Sequence, residues 1–102
     1  MLASPKYAFK EALIHTAPEE TGVYALYFGA DILYVGSARG RGVNNPESLR
    51  GRLLAHLFGE LKPDVATHYR WQIHAAPDVR LAEILDALGA DRPPYNNGTA
   101  RT

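Results

Sequence analysis

The spacing of apolar positions changes along the chain, and each change marks an element. Phe9, Ala12, Leu13 and Ile14 form a helical stripe that ends before Pro18; with Ser4 as cap and Pro5 as opening residue, they predict a helix over about 5–16. Thr21 to Phe28 is rich in aromatic and β-branched residues, Gly29-Ala30-Asp31 supplies turn chemistry, and Ile32 to Gly36 is a second apolar run, which predicts a β-hairpin. Ser37 to Asn45 has no apolar periodicity and reads as an exposed loop. Asn45-Pro46 then opens a helix in which Leu49, Leu53, Leu57 and Leu61 recur every fourth residue, with Gly59 starting its stop. Tyr69, Trp71 and Ile73 alternate with Arg70, Gln72 and His74, the period of a strand with one dry face. Pro77 or Asp78 begins a last helix with Leu81, Ile84, Leu85 and Leu88 on its apolar side; Gly89 ends it and Pro93-Pro94 blocks continuation.

These elements predict an α/β fold of the α+β kind: a small, mainly antiparallel three-stranded sheet, near 22–28, 32–37 and 69–75, flanked by helices. One domain is expected over 1–102, with its core at about 18–97 and a polar tail, 98–102, expected to be disordered.

The absence of cysteine excludes disulfides, thiolate zinc sites and a cysteine nucleophile. His15, His68 and His74 lack zinc-ligand spacing and read as solvated or structural. No apolar run approaches the ~20 residues of a membrane span, and the start of the chain lacks the charged-then-apolar build of a signal peptide, so a cytoplasmic protein is expected. The formal net charge is zero, so the chain as a whole does not announce a nucleic-acid partner. Its distribution says more: Arg39, Arg41, Arg50 and Arg52 fall within a segment whose one acid is Glu47, which predicts a local basic patch. Arg39, Arg41 and Arg50 are candidate contacts to a phosphate backbone.

Two aromatic–glycine blocks, Gly22-Val23-Tyr24 and Tyr34-Val35-Gly36, stand on the two arms of the hairpin. Whether their phenols share a face depends on register. A two-residue loop, Gly29-Ala30, pairs Leu26 with Leu33 and sends the tyrosines to opposite faces; a three-residue loop, Gly29-Ala30-Asp31, pairs Leu26 with Tyr34 and Tyr24 with Gly36. In the second register Gly36 leaves space over the backbone for a phosphate.

With Arg52, His56, Glu83 and Asn96 following in order, these blocks resemble the signature of the GIY-YIG nuclease family, with valine in place of isoleucine in both. Leu49-Arg50-Gly51-Arg52-Leu53-Leu54-Ala55-His56 is similar to the family's arginine-bearing helix, and Pro94-Tyr95-Asn96 to its closing segment. Arg52 takes the motif position by its spacing to His56; Arg50 is the alternative. The resemblance implies a metal-dependent endonuclease on DNA. Tyr24 would be its general base, Tyr34 would orient water or a phosphate oxygen, and Arg52 with His56 would assist. Glu83 would hold Mg²⁺ or Mn²⁺, and Asn96 would fix the closing loop or touch phosphate. A partner protein or a second copy would supply specificity, for branched or damaged DNA among others, with RNA as an alternative substrate. Repair, restriction, mobile-element and phage roles share such a core. The rival reading is a catalytically inactive module of the same fold that binds nucleic acid or protein. Glu83 lies away from the centre of its helix's apolar stripe, as a surface glutamate does.

Overall fold

Backbone pairing brings four strands into one antiparallel sheet, one more than the sequence pattern predicts. The computed structural model describes residues 2–96. In chain order it contains β1 (Tyr7–Ala8), α1 (Glu11–Ile14), β2 (Gly22–Phe28), β3 (Asp31–Ala38), α2 (Leu49–Leu57), β4 (His68–Ile73) and α3 (Pro77–Leu88), then two 3-10 turns at Gly89–Asp91 and Pro94–Asn96. The strands lie in the order β1-β4-β2-β3, so β3 is an edge. The tail 98–102 lies outside the described residues. No helix among the described residues is long and apolar enough to cross a membrane.

The extra strand corrects the helix expected over 5–16. Ser4 does not cap a helix; its backbone N–H donates to the Trp71 carbonyl and its hydroxyl accepts from the Trp71 N–H, continuing the β4 edge beyond β1. Tyr7 and Phe9 pack their rings on buried Tyr69, with centroids 5.5 and 6.0 Å away. An open edge strand and an apolar ring needing cover outweigh a local helical stripe, so only Glu11–Ile14 winds into helix.

The sheet separates two apolar layers. On one face Tyr24, Leu26 and Tyr69 pack under Ile14 of α1 and Leu49 and Leu53 of α2. On the other, Val23, Ala25, Tyr27 and Val35 pack under Ile84 of α3, with Leu81, Leu85 and Leu88 at its margin. Ile73, expected on the dry face, is 51% exposed because it sits at the strand's end, past the helices.

Helix α2 begins three residues later than Pro46 suggests. Ser48 is its N-cap, its hydroxyl accepting from the Gly51 N–H at 3.1 Å. Gly59, at φ 81°, turns the chain out at the other end, as expected.

Candidate nucleic-acid site

The hairpin register that the tyrosine pair needs is present, by a route the sequence reading did not contain. The loop is the short one: Phe28 pairs with Asp31 and Tyr27 with Ile32. A bulge between Leu26 and Tyr27 then absorbs Leu33, so Leu26 meets Tyr34 and Tyr24 meets Gly36. One extra residue in the pairing restores the face that a two-residue loop would have lost.

Tyr24, Tyr34 and His56 form a triangle of rings, with centroids 6.1 Å apart for the tyrosine pair, 5.5 Å for Tyr24–His56 and 5.4 Å for Tyr34–His56. Gly36 is the floor of this triangle: a Cβ there would lie 2.6 Å from Tyr24 Cζ and 2.7 Å from Tyr34 Cε2. The space over Gly36 is therefore taken by the two phenols, not left for phosphate.

His56 is buried between two partners. Its Nδ1 lies 2.9 Å from the Pro63 carbonyl, which only accepts, so Nδ1 carries the proton. Nε2 is then the acceptor for the Tyr24 hydroxyl at 2.9 Å. Burial, with the nearby Arg52 charge, lowers the His56 pKa from 6.5 to about 4 and keeps the ring neutral. Burial also raises the Tyr24 pKa well above the ordinary phenol value; Tyr34 adds to the rise and Arg52 opposes it without prevailing. In this arrangement Tyr24 is a fully buried hydrogen-bond donor, with no water-facing oxygen to serve as a base.

The depressed histidine predicts a pH dependence of stability. The unfolded chain takes up the His56 proton near its ordinary pKa of 6.5, the folded chain only near 4. Stability contributed by the neutral ring is thus full above pH 6.5 and lost as pH falls toward 4, up to about 3 kcal/mol. Urea melts of the protein and of His56→Gln between pH 7.5 and 4 check this. The wild type should lose stability more steeply across that window, and parallel curves would refute it.

Arg52, one turn before His56 on α2, opens onto solvent. With Tyr34, Ser37, Arg39, Glu47 and Leu81 it lines a cavity of about 290 Å³ against the β3 edge. Its Nε is buried with no hydrogen-bond partner, while its Nη1 faces Glu47 at 3.8 Å. Arg50 points elsewhere, its Nε donating to the Ala17 carbonyl and its Nη1 to Glu19 at 2.6 Å, so the arginine beside the tyrosines is Arg52. Asn96 stays outside the ring cluster. Its side-chain amide accepts from the Val35 N–H at 2.7 Å and donates to the Val35 carbonyl at 2.8 Å, closing part of the exposed β3 edge as a neighbouring strand would.

Glu83 is not brought to this cavity. It is exposed on α3 and faces Arg80 at 3.4 Å, and the α3 residue lining the cavity is Leu81. Glu47 is the cavity's carboxylate, and it lies against a guanidinium. Among the described residues no group of three or more His, Asp or Glu could hold a metal ion. One carboxylate already facing an arginine is a poor donor set for a hard divalent cation, so these residues do not fit the implied Mg²⁺ or Mn²⁺.

The basic patch is also altered by folding. Arg39 donates to Asp78, Arg41 faces Glu20 at 3.8 Å, Arg50 pairs with Glu19 and Arg52 with Glu47. Only Glu47 of these acids belongs to the arginine-rich segment; the others arrive from distant parts of the chain. Glu47, Leu81, Ser37 and Asp78 are the site residues that the sequence reading missed. None carries a motif, since a glutamate in a loop and a leucine on an apolar stripe look like any others. Comparison with protein-family models, curated proteins and solved structures finds no match to this chain.

Proposed function

We propose that this protein is a GIY-YIG-like domain that engages a DNA phosphodiester in the cavity between Tyr34 and Arg52 and hydrolyses it as an endonuclease. The observation that carries the reading is a convergence: Tyr24 from β2, Tyr34 from β3, and Arg52 and His56 from α2 meet in one cluster that opens on a polar cavity. These are the residue types that the sequence resemblance calls for, drawn together from distant positions.

Hydrolysis needs a held phosphate, an oriented water and stabilised charge at phosphorus. Arg52 suits the charge, because it lines the cavity and its planar fork can give parallel hydrogen bonds to two phosphoryl oxygens. Tyr34 lines the cavity and is the phenol placed to meet water or a phosphoryl oxygen. Tyr24 and His56 act behind it as positioning residues. Glu47, already on the cavity wall, is the carboxylate that takes the attacking water's proton as the scissile P–O bond breaks and then gives it to the departing sugar oxygen.

A second reading, binding without cutting, is favoured by one observation: Leu81 stands at the cavity where a carboxylate on α3 would serve chemistry, and Glu83 faces away. Supercoiled plasmid, flap and branched DNA, each incubated with and without Mn²⁺, separate the two. Nicking by the wild type that is lost in Tyr34→Phe supports the endonuclease. No nicking on any substrate, or equal nicking by the variant, sinks it; retained DNA binding in that case supports the second reading.

A further inference from the structure

The arginines of the loop face acids of the chain, whereas among the described residues Lys6 and Arg70 pair with no carboxylate and stand together. Lys6 and Arg70 flank the ring of Tyr27, with Lys6 Nζ 4.5 Å and Arg70 Cζ 5.9 Å from its centroid. Neither forms an ion pair with a carboxylate among the described residues. Lys6 Nζ donates to the Gly29 carbonyl at 2.6 Å, which fixes the ammonium over the ring without cancelling its charge. Among the described residues the buried Arg70 Nε–H has no acceptor, and the Tyr27 ring lies beside its guanidinium.

Strand periodicity places this pair. Arg70 is opposite Ala25, and Tyr27 belongs with Val23 and Ala25 in the layer under α3. Lys6, Tyr27 and Arg70 therefore lie on the other side of the sheet from Tyr24 and His56. Helix α3 covers β2 and β3, while β4 presents His68, Arg70 and Gln72 along this face toward β1. His68 borders the pair, its Nδ1 2.9 Å from the Thr67 hydroxyl, which in turn accepts from the Gly29 N–H.

We propose that Lys6 and Arg70 form a second phosphate-binding site, taking the backbone of a nucleic acid on the sheet face opposite the Tyr34–Arg52 cavity. Two features favour it. Two fixed cations share one aromatic platform, so little side-chain freedom is lost when an anion binds. In a chain of zero net charge whose loop arginines are internally paired, this is a place where a polyanion meets uncompensated positive charge. The choice of nucleic acid over an acidic protein rests on the function proposed above. Sites on opposite faces further imply a substrate that reaches both, a bent or branched strand pair more readily than a straight duplex.

The test is a two-dimensional amide NMR titration of the ¹⁵N-labelled protein with a branched three-way DNA junction, with a poly-glutamate peptide as the competing probe. Shifts at Tyr27, Phe28, Gly29 and Arg70, saturating with the junction and not with the peptide, support the site. Shifts confined to Tyr34–Ala38 and Arg52 would overturn it and leave the cavity reading intact. Shifts at the Tyr27 set alone would keep it and count against the cavity, and no shifts anywhere overturn both. The same shifts with poly-glutamate but not with DNA would overturn the nucleic-acid assignment. In fluorescence anisotropy, the doubly substituted Lys6→Gln/Arg70→Gln protein should lose about two from the slope of log affinity against log salt, evenly across DNA sequences. Charge-keeping Lys6→Arg/Arg70→Lys should restore it, and an unchanged slope in the glutamine variant would overturn the site.

Discussion

Replacing Arg52 with glutamine is expected to lower DNA nicking by roughly 10²–10³-fold, the loss seen when one preorganised donor to a developing charge is removed. The magnitude follows from the side chain's situation. Arg52 is half-buried beside two phenols, its Nε–H has no partner in the free protein, and its one ion pair, to Glu47, is long at 3.8 Å. The guanidinium hydrogen-bonds to Tyr24 and makes that long pair, and it lines the cavity where a phosphate would sit. Loss of the long pair to Glu47 should by itself cost at most about 1 kcal/mol of stability. Arg52→Lys keeps the charge and loses the planar fork, and should fall between the two. Plasmid-nicking rates beside thermal melts decide the matter. A glutamine variant within threefold of wild type would remove Arg52 from the chemistry, and one that melts far earlier would make it a structural residue.

A large stability effect is expected at Gly36. An alanine methyl group there would press against both Tyr24 and Tyr34 at 2.6–2.7 Å, and the fully buried Tyr24 ring has no room to withdraw. Tyr24 is buried and bonded to His56, while Tyr34 packs on the same imidazole. Overpacking of this kind costs up to about 3 kcal/mol, which for a domain of this size lowers Tm by roughly 12–24 °C. Gly29→Ala is the control. Its Cβ would meet nothing, and only its φ of 59° penalises the change, by about 1–2 kcal/mol. If Gly36→Ala melted no lower than Gly29→Ala, the ring triangle would be looser than its distances imply.

Much of the fold was readable from residue order because its signals are local. The aromatic and β-branched run before Gly29, the leucine period from Leu49 and the start of α3 at Pro77 each depend on neighbours a few residues away, and each element formed there. The first segment misled because its fate was not local. Phe9 and Ile14 suit a helix, but Tyr7 and Phe9 are drawn onto Tyr69, more than fifty residues later, where they cover a ring and pair an edge.

The site divides in the same way. Tyr24, Tyr34, Gly36, Arg52 and His56 were named from the sequence, and folding gathers them. Their roles were not legible, because a role depends on what surrounds a side chain. Tyr24 is a buried donor to His56, with its pKa raised by burial, and Tyr34 meets the cavity instead. Glu83 fell outside because two positions along α3 turn a residue through most of a half-circle, which put Leu81 at the cavity.

By itself, then, the sequence determined which residue types were available and which stretches became strand or helix, since propensity and periodicity act over a few residues. Tertiary structure decided the rest: a bulge at Leu33 brought the phenols to one face, and acids from distant segments neutralised the loop arginines. It also set Lys6 and Arg70 around the Tyr27 ring on the far side of the sheet, with no carboxylate partner among the described residues. Register, charge pairing and burial are sums over contacts distant in sequence, which no local pattern records.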